Sequence, residues 1–433
     1  MKRLIFTLAS IFLIAFTFRG QDKPLRVDHL QFASPESQGF SSERLQRIDK
    51  VLQEYVDKGW IAGASAIVAR NGNIVYQKAV GFDDIEKRTP VKKDAIFRIA
   101  SQTKAITSVA VMMLFEEGKF LLDDPVSKYI PEFKNPKVIE KYNESDTTYT
   151  TVNAKREIKI RDLLTHTSGI GYPTIGSKTM NAIYSKEKIV DGIDAGKFVL
   201  GPMMRKLGSL PLMHQPGERF TYGLNIDVLG YLVEIVSGMT LDEFFHKRIF
   251  EPLGMKDTYF YLPKEKQARL WTLYSEDSLK HLVNPKTKRG LVNDRNPDYP
   301  NTEGTYFSGG GGLCSTAYDY AILLQMVLNG GEYNGARLLS RNTVRMMTMN
   351  QIGDLSLYGG HSKFGLGFAI ITDLGSAKLP APAGVLYWSG VFGSSYWVDP
   401  KENIVAQLVL QQYPLGHADI GDKFKVLVYQ ALQ

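Results

Sequence analysis

Phe97-Arg98-Ile99-Ala100-Ser101-Gln102-Thr103-Lys104-Ala105-Ile106-Thr107-Ser108-Val109-Ala110-Val111-Met112-Met113-Leu114 is the stretch on which the rest of the chain turns. The apolar run after Lys104 predicts a buried helix over 103–117 whose first turn is free to face a cleft. Ser101 and Lys104 stand at i and i+3, positions that share a helix face, so an amine there can reach the hydroxyl. A lysine at the start of a helix and out of water meets the positive end of the helix dipole and loses hydration. Both effects favour the neutral amine, which can take a proton from serine. The same spacing recurs at Ser185/Lys188, but Lys186-Glu187 and a Gly/Asp-rich stretch make that segment a solvated surface. Ser101 is the candidate nucleophile.

Upstream of this stretch, Leu45, Ile48, Val51, Leu52 and Tyr55 follow at helical spacing behind Ser41-Ser42-Glu43. Ala64 to Arg70, the turn Asn71-Gly72 and Ile74 to Lys78 read as a hairpin, with a third strand around Ala79 to Phe82. Downstream, helical signals cover Ile160 to Leu164, Asn225 to Ser237 and Leu241 to Phe250. Asn143 to Lys155 and Lys264 to Tyr299 are polar and irregular. Gly309 to Gly312 leads into a Thr316-x-x-Asp319 helix start that stops at Asn329-Gly330-Gly331. Strand patterns follow at Gly365 to Ile371, Val385 to Ser389, Ser394 to Val398 and Ile404 to Leu410, then a helix over Phe424 to Leu432. Strands at both ends around a helical middle predict an α+β fold. An antiparallel sheet is flanked by N- and C-terminal helices and carries a mainly helical insertion. The expected division is residues 40–100 with 305–433 for the sheet domain and 101–304 for the helical one.

Composition narrows the class. The chain has 433 residues, 44% of them hydrophobic and 22% charged, which excludes disordered and fibrous classes. The net charge of +7, three units of which (Lys2, Arg3, Arg19) lie in the N-terminal segment, is too small to point to nucleic acid. Met1-Lys2-Arg3 followed by the apolar Leu4 to Phe18 reads as a secretory signal over residues 1–20. Gly20 is a weak cleavage position, so an uncleaved membrane anchor is the alternative. The expected location is periplasmic or secreted. Cys314 is the single cysteine, so no intrachain disulfide forms; in its glycine-rich setting it reads as a small buried residue.

Other chemistries lack their residues. There is no Gly-x-Ser-x-Gly pentapeptide. The seven histidines are scattered, and Glu243/His246 has ligand spacing without a second pair. Gly309 to Gly312 lacks the Gly-Lys-Ser/Thr ending of a phosphate loop, and close backbone packing explains it better.

The segment Phe97 to Lys104 resembles the active-site segment of the serine β-lactamase and penicillin-binding-protein superfamily, most of all its class C-related branch and the family VIII carboxylesterases. The likeness extends through Ile160-Arg161-Asp162-Leu163-Leu164-Thr165-His166-Thr167-Ser168-Gly169, Pro216 to Gly223, Phe250 to Met255 and the glycine run. The resemblance implies that Ser101 is acylated, with Lys104 as its partner. It also implies a tyrosine that moves the proton, from a Tyr-x-Asn element. The literal Tyr299-Pro300-Asn301 lies in a polar loop, whereas Tyr222-Gly223-Leu224 has the family's following helix, which favours Tyr222. Leu224 stands where the family has Asn. The third element, Lys-Thr-Gly, appears as Trp388-Ser389-Gly390, an indole in place of a cation. These three residues and Leu224 are the expected substrate contacts, and the backbone N–H groups of Ser101 and Val391 the expected oxyanion hole. His166 invites a Ser-His reading, but the resembled segment is structural.

The expectation is an exported serine hydrolase that cleaves esters, with strained β-lactams as a side activity, through a Ser101 acyl-enzyme. Its partners are small esters, amides or β-lactams, and no metal or cofactor is implied. A D-Ala-D-Ala-type peptidase is the same-class alternative, and a non-catalytic binding protein on this fold the other. Oligomeric state is open.

Overall fold

In the computed structural model, residues 29–284 and 296–433 are described; the expected signal segment and part of the polar stretch before Tyr299 lie outside them. Strands β1 (Gln31–Phe32), β2 (Gly63–Arg70), β3 (Asn73–Asp84), β4 (Thr89–Pro90), β5 (Ser362–Phe364), β6 (Ala369–Ile371), β7 (Leu386–Gly390), β8 (Ser394–Asp399) and β9 (Ile404–Val409) form the main sheet. Its order is β1-β3-β2-β9-β8-β7-β6-β5, with β4 on β3. Every pairing is antiparallel except the short β1–β3 edge. The N-terminal half supplies one end of the sheet and the C-terminal half the other, joined where β2 meets β9.

Side-chain alternation divides two cores. Ala64, Ala66 and Val68 of β2, Trp397 of β8 and Ile404, Ala406 and Leu408 of β9 face the terminal helices α1 (Ser42–Asp57) and α5 (Ile420–Tyr429). Ile67, Ala69, Tyr396, Val398, Val405 and Val409 join the larger core, which is continuous with α2 (Thr103–Glu116), α3 (Asn225–Ser237) and α4 (Ala317–Leu328). Both faces of the central strands are covered, so β9 is buried along its whole length and its sequence reads as an apolar run. This is the expected mixed fold, a largely antiparallel sheet flanked by terminal helices.

Several boundaries differ from expectation. The strand expected around Ala79 to Phe82 is not a separate element, because β3 runs unbroken from Asn73 to Asp84 and absorbs it. Within Asn143 to Lys155, read as irregular, Tyr149–Asn153 is a strand that pairs with Lys137–Tyr142 to form a hairpin. It is exposed on both faces along much of its length, and such a hairpin carries no burial pattern. Of the strand expected over Gly365 to Ile371 only Ala369–Ile371 (β6) forms; Gly365 to Phe368 make the turn from β5, closed by Gly365 N–H to the Phe368 carbonyl at 2.8 Å. At the start of α4, Thr316 Oγ1 accepts the Asp319 N–H at 3.1 Å. The carboxylate of Asp319 turns away, to Asp257 N–H and Thr258 Oγ1, so only half of the capping box forms.

Trp397 is 1% exposed and lies 5.4 Å, ring to ring, from Phe424 of α5. Trp397→Ala is expected to cost about 3–5 kcal/mol of stability, read as a lowered urea midpoint with unchanged slope; a loss below about 1 kcal/mol would contradict this packing.

Candidate active site

The turn that carries Ser101 is held under tension. Ala100 has φ 45°, a left-handed conformation that costs a non-glycine residue energy and persists only where the surroundings enforce it. They do so at three points. Ile99 N–H bonds to the Leu313 carbonyl at 3.0 Å, and the Tyr320 hydroxyl to the Gln102 carbonyl at 2.9 Å. Gln407 of β9 donates to Gln102 Oε1 at 2.7 Å. Ser101 therefore sits in a single tight turn, Ala100–Gln102, that runs straight into α2.

Lys104 is buried and all its contacts converge on this spot. Its Nζ lies 3.2 Å from Ser101 Oγ, 2.8 Å from the Tyr172 hydroxyl and 2.5 Å from the Gly310 carbonyl. It also stands 4.7 Å from the ring centre of Tyr222. Ser101, Tyr172, Tyr222, Gly310, Gly311 and Val391 share the wall of one cavity. Thr174, Ile175, Asp191, Ile193, Phe392 and Tyr413 complete that wall, leaving it mostly apolar or aromatic apart from the Asp191 carboxylate. Asp191 accepts from Thr174 Oγ1 at 2.8 Å and from Ile193 N–H at 3.2 Å.

Tyr222 is held by its neighbours. Trp388 Nε1–H donates to its hydroxyl at 3.3 Å, and its ring packs between Trp388, Tyr172 and His166 at 5.3, 5.3 and 4.8 Å. His166 is buried, with Nδ1 3.0 Å from Asn225 Nδ2 and accepting the Gly223 N–H at 3.4 Å. Burial first, and the Lys104 charge second, hold its imidazole well below the ordinary range. It stays neutral and braces the Tyr222 loop, apart from the cavity wall.

The other sequence-derived candidates divide. Gly390 ends β7 against Ile99, where a Cβ would lie 2.5 Å from the Ile99 carbonyl; this close approach brings Val391 onto the wall beside Ser101. Trp388, Ser389 and Gly390 line an adjoining groove that shares Val391 with the cavity. Leu224 is fully buried, its N–H on the Gly171 carbonyl at 3.1 Å, and takes no part in the wall. Tyr299 is buried beneath Arg98, whose guanidinium is 5.6 Å from its ring, and is likewise outside it. Cys314 is buried, and burial pushes its thiol up to about 12, leaving it without nucleophilic character. Among the described residues no cluster of His, Cys, Asp or Glu could hold a metal ion.

Tyr172 is the residue that the sequence reading missed. It lies in Gly171-Tyr172-Pro173, a loop without periodicity, and only the fold brings it to Lys104. Burial first, with Tyr222 and the Asp227 and Asp191 carboxylates adding, raises its phenol well above the usual tyrosine range. It keeps its proton and serves as a fixed acceptor for the amine. Tyr172→Phe removes that acceptor, and a hydrogen bond to a charged or charging group is worth about 1.5–3 kcal/mol. We expect kcat to fall about 10-fold or more with KM little changed; an unchanged kcat would show the bond to be idle.

The β-lactamase family model matches residues 48–430. Protein Rv1367c of Mycobacterium tuberculosis is 32% identical over 378 residues, 84% of this chain and 89% of its own length. Esterase EstB of Burkholderia gladioli is 32% identical over 361 residues, 82% of this chain and 86% of its own. Among solved structures, EstCE1, described as a hydrolase with promiscuous acyltransferase activity, superimposes with a TM-score of 0.74 at 26% identity. That match covers 89% of this chain and 99% of that one. The chain belongs to the β-lactamase family of serine hydrolases, in its class C-like branch with the family VIII-type esterases.

Proposed function

We propose that the chain is a carboxylesterase that works through a Ser101 acyl-enzyme, with β-lactam hydrolysis as a side activity. The observation that carries this reading is the 3.2 Å approach of Lys104 Nζ to Ser101 Oγ in a cavity walled mainly by apolar and aromatic side chains. As Ser101 Oγ attacks the ester carbonyl, its proton passes to Lys104. Tyr222, half-buried on the same wall, hands a proton to the departing alkoxide and recovers one from Lys104, whose Nζ lies 4.7 Å from its ring centre, so that both groups return to their starting states. The backbone N–H groups of Ser101 and Val391 receive the oxyanion. Water then repeats the sequence on the acyl group and releases the acid.

The wall also selects substrate. A peptidase for chains ending in carboxylate needs a cation in the pocket. Here Trp388 stands at the position of the family's lysine, and among the described residues the wall around Ser101 carries a carboxylate and no Lys or Arg; Lys425 lines the adjoining groove, its Nζ over the Tyr387 and Trp397 rings. Neutral esters with short, apolar acyl groups fit that chemistry. EstB and EstCE1, at 32% and 26% identity, bear esterase and hydrolase names in the same direction. The leader pattern of residues 1–20 supports work outside the cytoplasm.

Hydrolysis of p-nitrophenyl butyrate tests the reading. We expect turnover that drops by about 1000-fold or more in Ser101→Ala and in Lys104→Ala, with longer acyl chains hydrolysed more slowly. No turnover above the Ser101→Ala background would sink the esterase proposal.

A further inference from the structure

Behind Lys104 lies a carboxylate that the acyl-transfer scheme does not use. Asp227, in the first turn of α3, is fully buried. Its Oδ1 accepts from Ser308 Oγ at 2.5 Å and from the Gly310 N–H at 3.3 Å. Its Oδ2 is buried with no hydrogen-bond partner among the described residues. Gly310 is pressed onto it so closely that a Cβ would lie 2.2 Å from Oδ2. From its other end the same glycine offers its carbonyl to Lys104 Nζ at 2.5 Å. One residue thus joins a buried anion to the amine beside the nucleophile.

The neighbouring contacts show that this is a docking surface. One turn further along α2, Thr107 Oγ1 donates to the Gly309 carbonyl at 2.7 Å. A Cβ on Gly309 would meet the Ile226 carbonyl at 2.7 Å. Gly309 and Gly310 are therefore the layer between the start of α3 and the reactive face of α2, which accounts for their lack of side chains.

We propose that Asp227 is a positioning residue for the acyl-transfer reaction: it clamps Gly310, whose carbonyl fixes the Lys104 amine, and it supplies the buried counter-charge for that amine as it gains the Ser101 proton. This rests on the Ser101 acyl-enzyme reading above. A charge that grows on Lys104 during reaction is stabilised by Asp227 more in the transition state than in the resting complex. The effect therefore belongs to kcat and not to KM. An anion isolated in the interior is costly unless it is compensated; at rest Ser308 Oγ and the Gly310 N–H provide the compensation, and Lys104 adds to it as it gains the proton.

The charged and titratable groups around Asp227 are Lys104 from α2, Asp191 from the cavity wall, and the Tyr172 and Tyr306 phenols. Desolvation raises its carboxyl to about 6, opposed by Lys104 and the two hydrogen bonds. Both phenols are held well above their usual range, mainly by burial, so they stay neutral near that pH. Below about 6 Asp227 takes up a proton and the counter-charge is lost, so activity should fall on the acid side.

Asp227→Asn keeps the shape and one acceptor and removes the charge. Ser308→Ala removes one clamping donor and keeps the charge. Wild type, both variants and Ser101→Ala are to be compared on p-nitrophenyl butyrate from pH 4.5 to 9, with thermal melts as the control for folding. We expect Asp227→Asn to melt as a folded protein, to lose kcat about 10-fold or more with KM within about 2-fold, and to lack the acid limb near pH 6. Ser308→Ala should retain that limb and lose less. A folded Asp227→Asn with wild-type kcat and the same limb would overturn the proposal, as would a change confined to KM. Should Asp227→Asn not fold, loss of the acid limb in Ser308→Ala would overturn it and its retention with reduced kcat would support it. If wild type showed no turnover above Ser101→Ala, the acyl-enzyme reading and this proposal would both fall.

Discussion

The buried amine of Lys104 is the constraint around which the rest of the molecule is arranged. A lysine at the head of an apolar helix is costly to bury unless each of its donors is met. Here the Tyr172 hydroxyl and the Gly310 carbonyl accept from it at 2.8 and 2.5 Å, and Ser101 Oγ stands 3.2 Å away, where the amine lone pair can take its proton. They come from three separate parts of the chain. The fold therefore has to bring the Ala100–Gln102 turn, the loop after His166 and the glycine run to one point, and each is fastened to something rigid. Ser101 is tied to β9 through Gln102 and Gln407. The loop of Tyr172 is tied to α3 through the Leu224 N–H on Gly171. The glycine run is tied to α3 through Asp227.

The aromatic groups around the site follow from the same constraint. Tyr172, Tyr222, His166, Trp388 and Phe364 form a contiguous cluster of tilted and edge-on rings beside the amine. Such a cluster excludes water, which strengthens the few polar contacts within it. The indole of Trp388 is part of it. The indole also gives Tyr222 a hydrogen-bond donor.

What could be read from sequence was local. Ser101 and Lys104 were legible because their spacing lies within one helical turn and the run behind them is apolar enough to fix burial. The helices Ile160–Leu164 and Asn225–Ser237 fell at their expected residues for the same reason. Gly309 to Gly312 was legible as close packing, and Thr107, Asp227 and Ile226 are what it packs against. Tyr172 was not legible, since no periodicity marks Gly171-Tyr172-Pro173 and the contact with Lys104 spans 68 residues of chain. Leu224 misled by its place in a motif: position in a motif fixes the backbone, while burial against the Gly171 loop decides where the side chain goes. The hairpin over Lys137 to Asn153 escaped because strand patterns register burial, and this element has little.

The most direct test of the account is to trap the intermediate. Wild-type protein mixed with p-nitrophenyl butyrate, quenched in acid within milliseconds and digested, should yield one peptide heavier by a butyryl group, with the added mass on Ser101. An adduct on another residue, or rapid turnover with no adduct at any quench time, would contradict an acyl-enzyme at Ser101 and with it the role assigned to Lys104.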